Sequence, residues 1–166
     1  GAEHARWHSR IVPDGPGAAR GFAVVGFASE EGVRRNHGRP GAAQGPDALR
    51  RALASMAVHT ELPLVDAGTL EVVGDDLEGA QAALGARVAG LLDRHEVVCV
   101  LGGGHESAYG SYLGRVASAR CRGQRVGVLN LDAHFDLRSV APGPQGALGT
   151  SGTPFAQMAA ADAEAG

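Results

Sequence analysis

Val97-Val98-Cys99-Val100-Leu101-Gly102-Gly103-Gly104-His105-Glu106 is the stretch on which the reading of this chain turns. An unbroken, Val-rich apolar run of this length suits a strand covered on both faces. The glycines that follow permit a sharp turn, and a helix is expected to begin near His105 or Glu106. The same form recurs on either side. Phe22–Phe27, Leu62–Val65 and Val126–Leu131 are further short apolar runs, and helical patterns lie between them. Pro46–His59 opens with a proline suited to a first helical turn, where its missing N–H goes unused. Asp75–His95 places Leu77, Leu84, Val88, Leu91 and Leu92 at helical spacing, with Asp75 or Asp76 to cap it. Strands alternating with helices predict an α/β fold on a parallel sheet.

Two stretches read as irregular. Gly32–Gly45 is long for a connector, and loops of that length are usually functional or disordered. Ala141–Thr153 is rich in Pro and Gly, and the Ala-rich Phe155–Gly166 beyond it is a weakly anchored candidate helix. The chain opens on Gly rather than Met, and no comparable fifth strand follows the fourth.

Composition removes several function classes. The chain has 166 residues, 44% hydrophobic and 20% charged, which suits one globular α/β domain rather than a disordered segment. All 15 Lys+Arg residues are Arg, so neither a Schiff-base lysine nor a P-loop lysine is available. A net charge of −3 argues against a nucleic-acid partner, which would call for a basic excess. No apolar run approaches the ~18 residues of a membrane span, and no signal peptide opens the chain. Cys99 and Cys121 lack any CxxC spacing and read as reduced thiols, with Cys99 a buried one, in a cytoplasmic protein.

The densest chemistry lies in Leu131-Asp132-Ala133-His134-Phe135-Asp136. In an extended segment Asp132, His134 and Asp136 would project to one side. Carboxylates and imidazole converging at a strand end repel or desolvate one another unless a cation sits among them. His105 is expected to join them, because its glycine turn also ends a parallel strand, where open α/β sheets bind ligands. A phosphate-binding turn or a core histidine are the alternatives for His105, although Ser107 breaks the GxGxxG pattern. Carboxylates and imidazole without thiolate favour a hard or borderline ion such as Mn²⁺. Two carboxylates in one cluster allow a bridging position, two metals and metal-assisted hydrolysis.

Gly104-His105-Glu106 and Asp132-Ala133-His134-Phe135-Asp136 resemble two metal motifs of the arginase/agmatinase (ureohydrolase) superfamily. Its formimidoylglutamase branch is resembled by Gly26–Asn36, Gly38–Pro46, Asp136-Leu137-Arg138 and Ser151-Gly152-Thr153-Pro154-Phe155. The likeness runs from about Arg6 to Gln157. It implies an arginase-like, three-layer parallel sheet with helices on both faces, and hydrolysis of N-formimidoyl-L-glutamate to L-glutamate and formamide. It also implies a binuclear Mn²⁺ site in which Asp132 bridges, His105 and Asp136 complete the first position, and His134 serves the second. A metal-bound hydroxide would attack the formimidoyl carbon, and no further catalytic residue is assigned. Arg138, Ser151 and Gly152 would bind the substrate's carboxylate end. Arg34, Arg35, Asn36 and Arg39 are further candidates for an anionic pocket, or ordinary solvated loop residues.

The superfamily's Ser-x-Asp-x-Asp motif has no counterpart after Asp136; Asp162 stands alone. Family proteins are also about twice as long. The resemblance therefore implies one ureohydrolase-type domain over residues 1–166, truncated at its C-terminal end. Another ureohydrolase acting on a guanidine, or a non-catalytic metal-binding fragment, remain the alternatives. The expected partner is a small-molecule substrate, with neither membrane nor nucleic acid, and a homo-oligomer is open.

Overall fold

The apolar runs at residues 22, 64 and 97 become three neighbouring strands of a parallel sheet. A computed structural model describes residues 4–143 and 146–165. Its strands are β1 (Ile11–Pro13), β2 (Phe22–Ala28), β3 (Leu64–Glu71) and β4 (Val97–Gly102), in the spatial order β1-β3-β2-β4. Phe22 lies level with Leu64 of β3 and with Val97 of β4, so the strands begin in step and their carboxyl ends finish side by side.

The connections explain the layers. After β2 the chain passes through α2 (Glu31–Arg35) and α3 (Gly45–Ala54) to its neighbour β3. From β3 it travels the opposite way across the sheet through α4 (Leu77–Arg94) to β4. Crossovers of one hand that run in opposite directions leave their helices on opposite faces. Ala23, Val25 and Phe27 of β2, with Val65 and Ala67 of β3, accordingly meet Leu77, Leu84, Val88 and Leu91 of α4 in the core. Val24 and Leu101 turn the other way, toward Leu53 of α3 and toward Trp7, which opens α1 (Trp7–Arg10). α5 (Ser107–Ala117) packs beside α4, closely enough that a Cβ at Gly114 would stand 2.5 Å from the Val88 Cβ. Arg50 of α3 pairs with Asp66 of β3 at 2.7 Å, fixing that helix to its strand. α6 (Pro154–Ala165) follows a short hairpin of β5 (Ala141–Gly143) and β6 (Gly146–Leu148).

The three-layer α/β arrangement matches the expectation, and several details correct it. Val126–Leu131 is not a strand: residues 124–131 form no regular structure. Val128, Leu129 and Leu131 are 57%, 84% and 89% exposed. An apolar strand of a parallel sheet is held by ladder bonds and by cover on both faces, and no described element supplies either here. The run Leu62–Val65 begins its strand later, at Leu64, and extends to Glu71, past the apolar residues. Pro46–His59 stops as a helix at Ala54. Gly32–Gly45 is more ordered than expected, since most of α2 and a 3₁₀ turn at Ala42–Gln44 fall in it. Asp76, not Asp75, caps α4, accepting from the Gly79 N–H at 2.9 Å. The tail does form a helix, anchored where the Tyr112 hydroxyl donates to Asp162. Pro144 and Gly166 lie outside the described residues. Both cysteines are free thiols, and Cys99 is only partly buried.

Candidate metal centre

The site begins where the carboxyl ends of β2 and β4 meet. The Gly103 N–H donates to the Phe27 carbonyl at 2.9 Å, and the Gly104 N–H to the Ser29 carbonyl at 2.8 Å. A Cβ on Gly103 would stand 2.1 Å from the Ser29 carbonyl oxygen, so only glycine allows this approach. Glu106 closes the turn from below and is fully buried. Its Oε1 accepts from Ser29 Oγ at 2.6 Å and from the Gly32 N–H at 3.1 Å. Gln81 Nε2 donates to its backbone carbonyl at 2.8 Å. With Glu106 held inward, His105 faces outward at the mouth of the sheet. The Phe155 ring of α6 meets the imidazole edge-on, with centroids 5.7 Å apart.

Asp132 and Asp136 arrive at His105 from the irregular segment. His105 Nδ1 lies 2.5 Å from Asp136 Oδ2 and 3.5 Å from Asp132 Oδ2. One donor atom from each of the three falls within 4.8 Å of the others. Strand alternation does not produce this meeting. The His134 N–H folds back onto Asp132 Oδ1 at 2.8 Å, and Asn130 Nδ2 donates to the His134 carbonyl at 3.1 Å. Asp136 takes a left-handed conformation, φ 49°, which brings its carboxylate round to His105.

His134 is 80% exposed and stands apart from the three, but its Nδ1 lies 3.5 Å from the second oxygen of Asp132. Asp132 thus turns one oxygen to each imidazole. The hydrogen bond from the His134 N–H outweighs the opposing effect of burial and, with the His105 imidazole, holds the Asp132 carboxyl below the usual carboxylate range. Two carboxylates and imidazole nitrogens, without thiolate, are the donor set of a hard or borderline divalent ion, and the residues fit such an ion.

Beyond the cluster the structure unites residues that lie far apart in sequence. A cavity of 380 Å³ is lined by Asn36, His134, Asp136 and Arg138, so one carboxylate of the cluster and the arginine share an opening. Arg138 NH1 donates to Asn36 Oδ1 at 3.0 Å, and Asn36 Nδ2 to Ser151 Oγ at 3.1 Å. The Arg138 N–H donates to the Gly152 carbonyl at 3.0 Å. A Cβ on Gly152 would meet the Arg138 side chain at 2.9 Å, so the glycine makes room for it.

The other candidate arginines go elsewhere. Arg34 and Arg35 both pair with Glu31 of their own helix. Arg35 also holds Glu78 at 2.6 Å and the Gly149 carbonyl at 3.0 Å, a structural role. Arg39 is exposed.

A sequence profile of the arginase family matches residues 20–165. The chain belongs to the arginase family. It is 57% identical over 165 residues to a formimidoylglutamase of Nocardia farcinica, covering 98% of this chain and 51% of that protein. A Rhodococcus opacus formimidoylglutamase is 54% identical over 159 residues, covering 95% of this chain and 48% of the relative. In fold it resembles the crystal structure of Trypanosoma cruzi formiminoglutamase with Mn²⁺, with TM-score 0.76 and 32% identity over 93% of this chain and 52% of that one. This arginase-family chain thus spans about half the length of the curated relatives it matches.

Sequence reasoning did not anticipate three contributions. Phe155 orients His105, Glu106 locks the glycine turn, and Asn36 joins Arg138 to Ser151. The forward signal for Phe155 and Glu106 was their place in motifs already singled out, and Asn36 was itself a candidate for the anionic pocket.

Proposed function

We propose that this chain carries the N-terminal share of a binuclear Mn²⁺ site that hydrolyses N-formimidoyl-L-glutamate to L-glutamate and formamide. The observation that carries the reading is the meeting of His105, Asp132 and Asp136 in a chain whose arginase-family relatives are named formimidoylglutamase. In this reading His105 and Asp136 would hold one ion, Asp132 would serve both positions, and His134 would serve the second. Bound manganese would supply an activated water and neutralise charge developing at the formimidoyl carbon. Arg138 would pair with a substrate carboxylate through its guanidinium fork, and Ser151 and Gly152 would shape the same end of the pocket. Phe155 keeps the imidazole turned to the cluster.

We read residues 1–166 as one ureohydrolase-type α/β unit that further chain completes. In support, no strand pairs the outer edge of β4 among the described residues, and apolar side chains stand exposed at Val128, Leu129 and Leu131. No helix of the structure is long and apolar enough to cross a membrane. We place the protein in the cytoplasm, acting on a small molecule.

The test is the Mn²⁺ stoichiometry of the purified chain after loading and desalting, with formamide release measured in parallel. Two retained ions with formamide released support the full reading. One ion without release, which the sparse ligand set around His134 favours, marks a non-catalytic metal-binding unit of the longer enzyme. No retained ion overturns the metal assignment.

A further inference from the structure

Asn36 ends α2 as its C-cap, and its position is determined twice over. Its backbone N–H donates to the Gly32 carbonyl at 3.1 Å, and the Ser151 N–H donates to that same oxygen at 3.0 Å. One carbonyl therefore sets the spacing between the backbones of Asn36 and Ser151. The Gly32 N–H in turn donates to the buried carboxylate of Glu106, the residue after His105. A single glycine of α2 thus joins the turn that carries His105 to the loop that carries Ser151. Above it the Asn36 amide spans the gap, accepting from Arg138 with its oxygen and donating to Ser151 with its nitrogen.

An amide is well chosen for this place. It is neutral, so it orients a guanidinium without cancelling its charge. An arginine offers five N–H donors, so one held by Asn36 leaves the rest of the fork for a carboxylate. Asn36 also lines the cavity that holds Arg138, His134 and Asp136, so the arginine it holds shares an opening with Asp136 of the cluster. A long arginine side chain left unheld would lose rotamer freedom on gripping a ligand, and prior orientation removes part of that loss.

We infer that Asn36 is a specificity-determining positioning residue: it sets Arg138 and Ser151 as a joint receptor for a carboxylate-bearing substrate and discriminates against cationic ones. The inference deepens the proposed function and rests on its assignment of Arg138 to the substrate's carboxylate end. Asp at position 36 would hold Arg138 as firmly but would neutralise it and repel the substrate anion.

The measurement is a ¹⁵N–¹H chemical-shift titration of the whole metal-free chain with L-glutamate, with agmatine as the cationic control. The wild-type chain is expected to respond to glutamate at Gly152 and Arg138, and not to agmatine. Arg138→Ala should abolish the response. Asn36→Ala should weaken the affinity about tenfold, the scale of one lost charged hydrogen bond. Asn36→Asp should weaken it further, although it restores an acceptor for Arg138. A residue that only braces the fold would give the opposite order, with Asp better than Ala. Glutamate binding unchanged in both Asn36 variants, with Arg138→Ala null, overturns the inference and leaves the carboxylate assignment standing. No response in the wild-type chain, or an unchanged one in Arg138→Ala, overturns both.

Discussion

Asp132 touches two imidazoles with two different oxygens, so its loss should be felt across the whole cluster. Asp132→Ala is expected to abolish Mn²⁺ retention, read as metal content after desalting. Unchanged stoichiometry would remove Asp132 from the bridging place. Phe155 offers a finer test because it supplies no ligand. Phe155→Ala frees the His105 ring from its edge-on neighbour. Groups that orient a ligand typically contribute tenfold or more to metal affinity, so a loss of about tenfold is expected by isothermal titration. An unaltered affinity would show that the glycine turn and Asp136 aim the imidazole without Phe155.

At the scale of elements, α2 is the hub. Glu31 and Arg35 within it, Glu78 at the start of α4 and the Gly149 backbone form one ion-pair network that ties the Ser151 loop to the body of the fold. Glu31 is 6% exposed and Arg35 13%, so removing the guanidinium leaves Glu31 to the exposed Arg34 and takes from Glu78 its arginine partner. Arg35→Met should cost about 2 kcal/mol in a urea titration, the scale of lost hydrogen bonds to charged groups, and a loss below ~0.5 kcal/mol would return the network to ordinary surface behaviour. The network also carries a pH dependence. Partial burial pushes the Glu78 carboxyl up, but the hydrogen bonds from Arg35 and the Gly149 N–H, with the Arg35 charge, outweigh it and leave the pKa below its ordinary 4.5. Asp66 is lowered in the same way by Arg50. Carboxyls lowered on folding contribute stability that is full above their unfolded pKa and is lost as pH falls through the folded value. Tm should therefore decline on acidification below roughly pH 4.5, and less steeply in Arg35→Met. A parallel decline in both proteins would exclude the network as its source.

At the scale of the molecule, the apolar row outside β4 is the weak point. Leu129 and Leu131 are more than four-fifths exposed, and the stretch 126–130 shares a cavity with Val98 of β4, whose outer edge no described strand pairs. Unpaired edges and exposed apolar rows invite association. Leu129→Asp with Leu131→Asp should reduce self-association by light scattering while changing stability by no more than about 0.5 kcal/mol per site. A large loss of stability would mean that the row is already buried in the folded chain.

Period and punctuation in the sequence were enough to find β2, β4, α4 and the parallel α/β class. Those elements are buried by near neighbours, and their apolar spacing records it: Leu77, Leu84, Val88 and Leu91 all face the sheet. The residue types at positions 105, 132 and 136 likewise spoke for a metal cluster, because carboxylates and imidazole brought together call for a cation. Tertiary structure alone decided how they meet. The run 126–131 has the composition of a strand, but strand formation needs a partner ladder and cover, which depend on the rest of the molecule rather than on the run itself. Asp132 and Asp136 therefore reach His105 through a backbone turn and a left-handed residue, while His134 points to solvent. The partition among arginines was equally invisible: Arg34, Arg35, Arg39 and Arg138 carry the same charge, and only the placement of Glu31, Glu78 and Asn36 makes one a brace and leaves another facing the cavity. Apolar spacing records burial within an element, whereas a site assembled from residues 36, 105, 132 and 151 depends on contacts that no local pattern encodes.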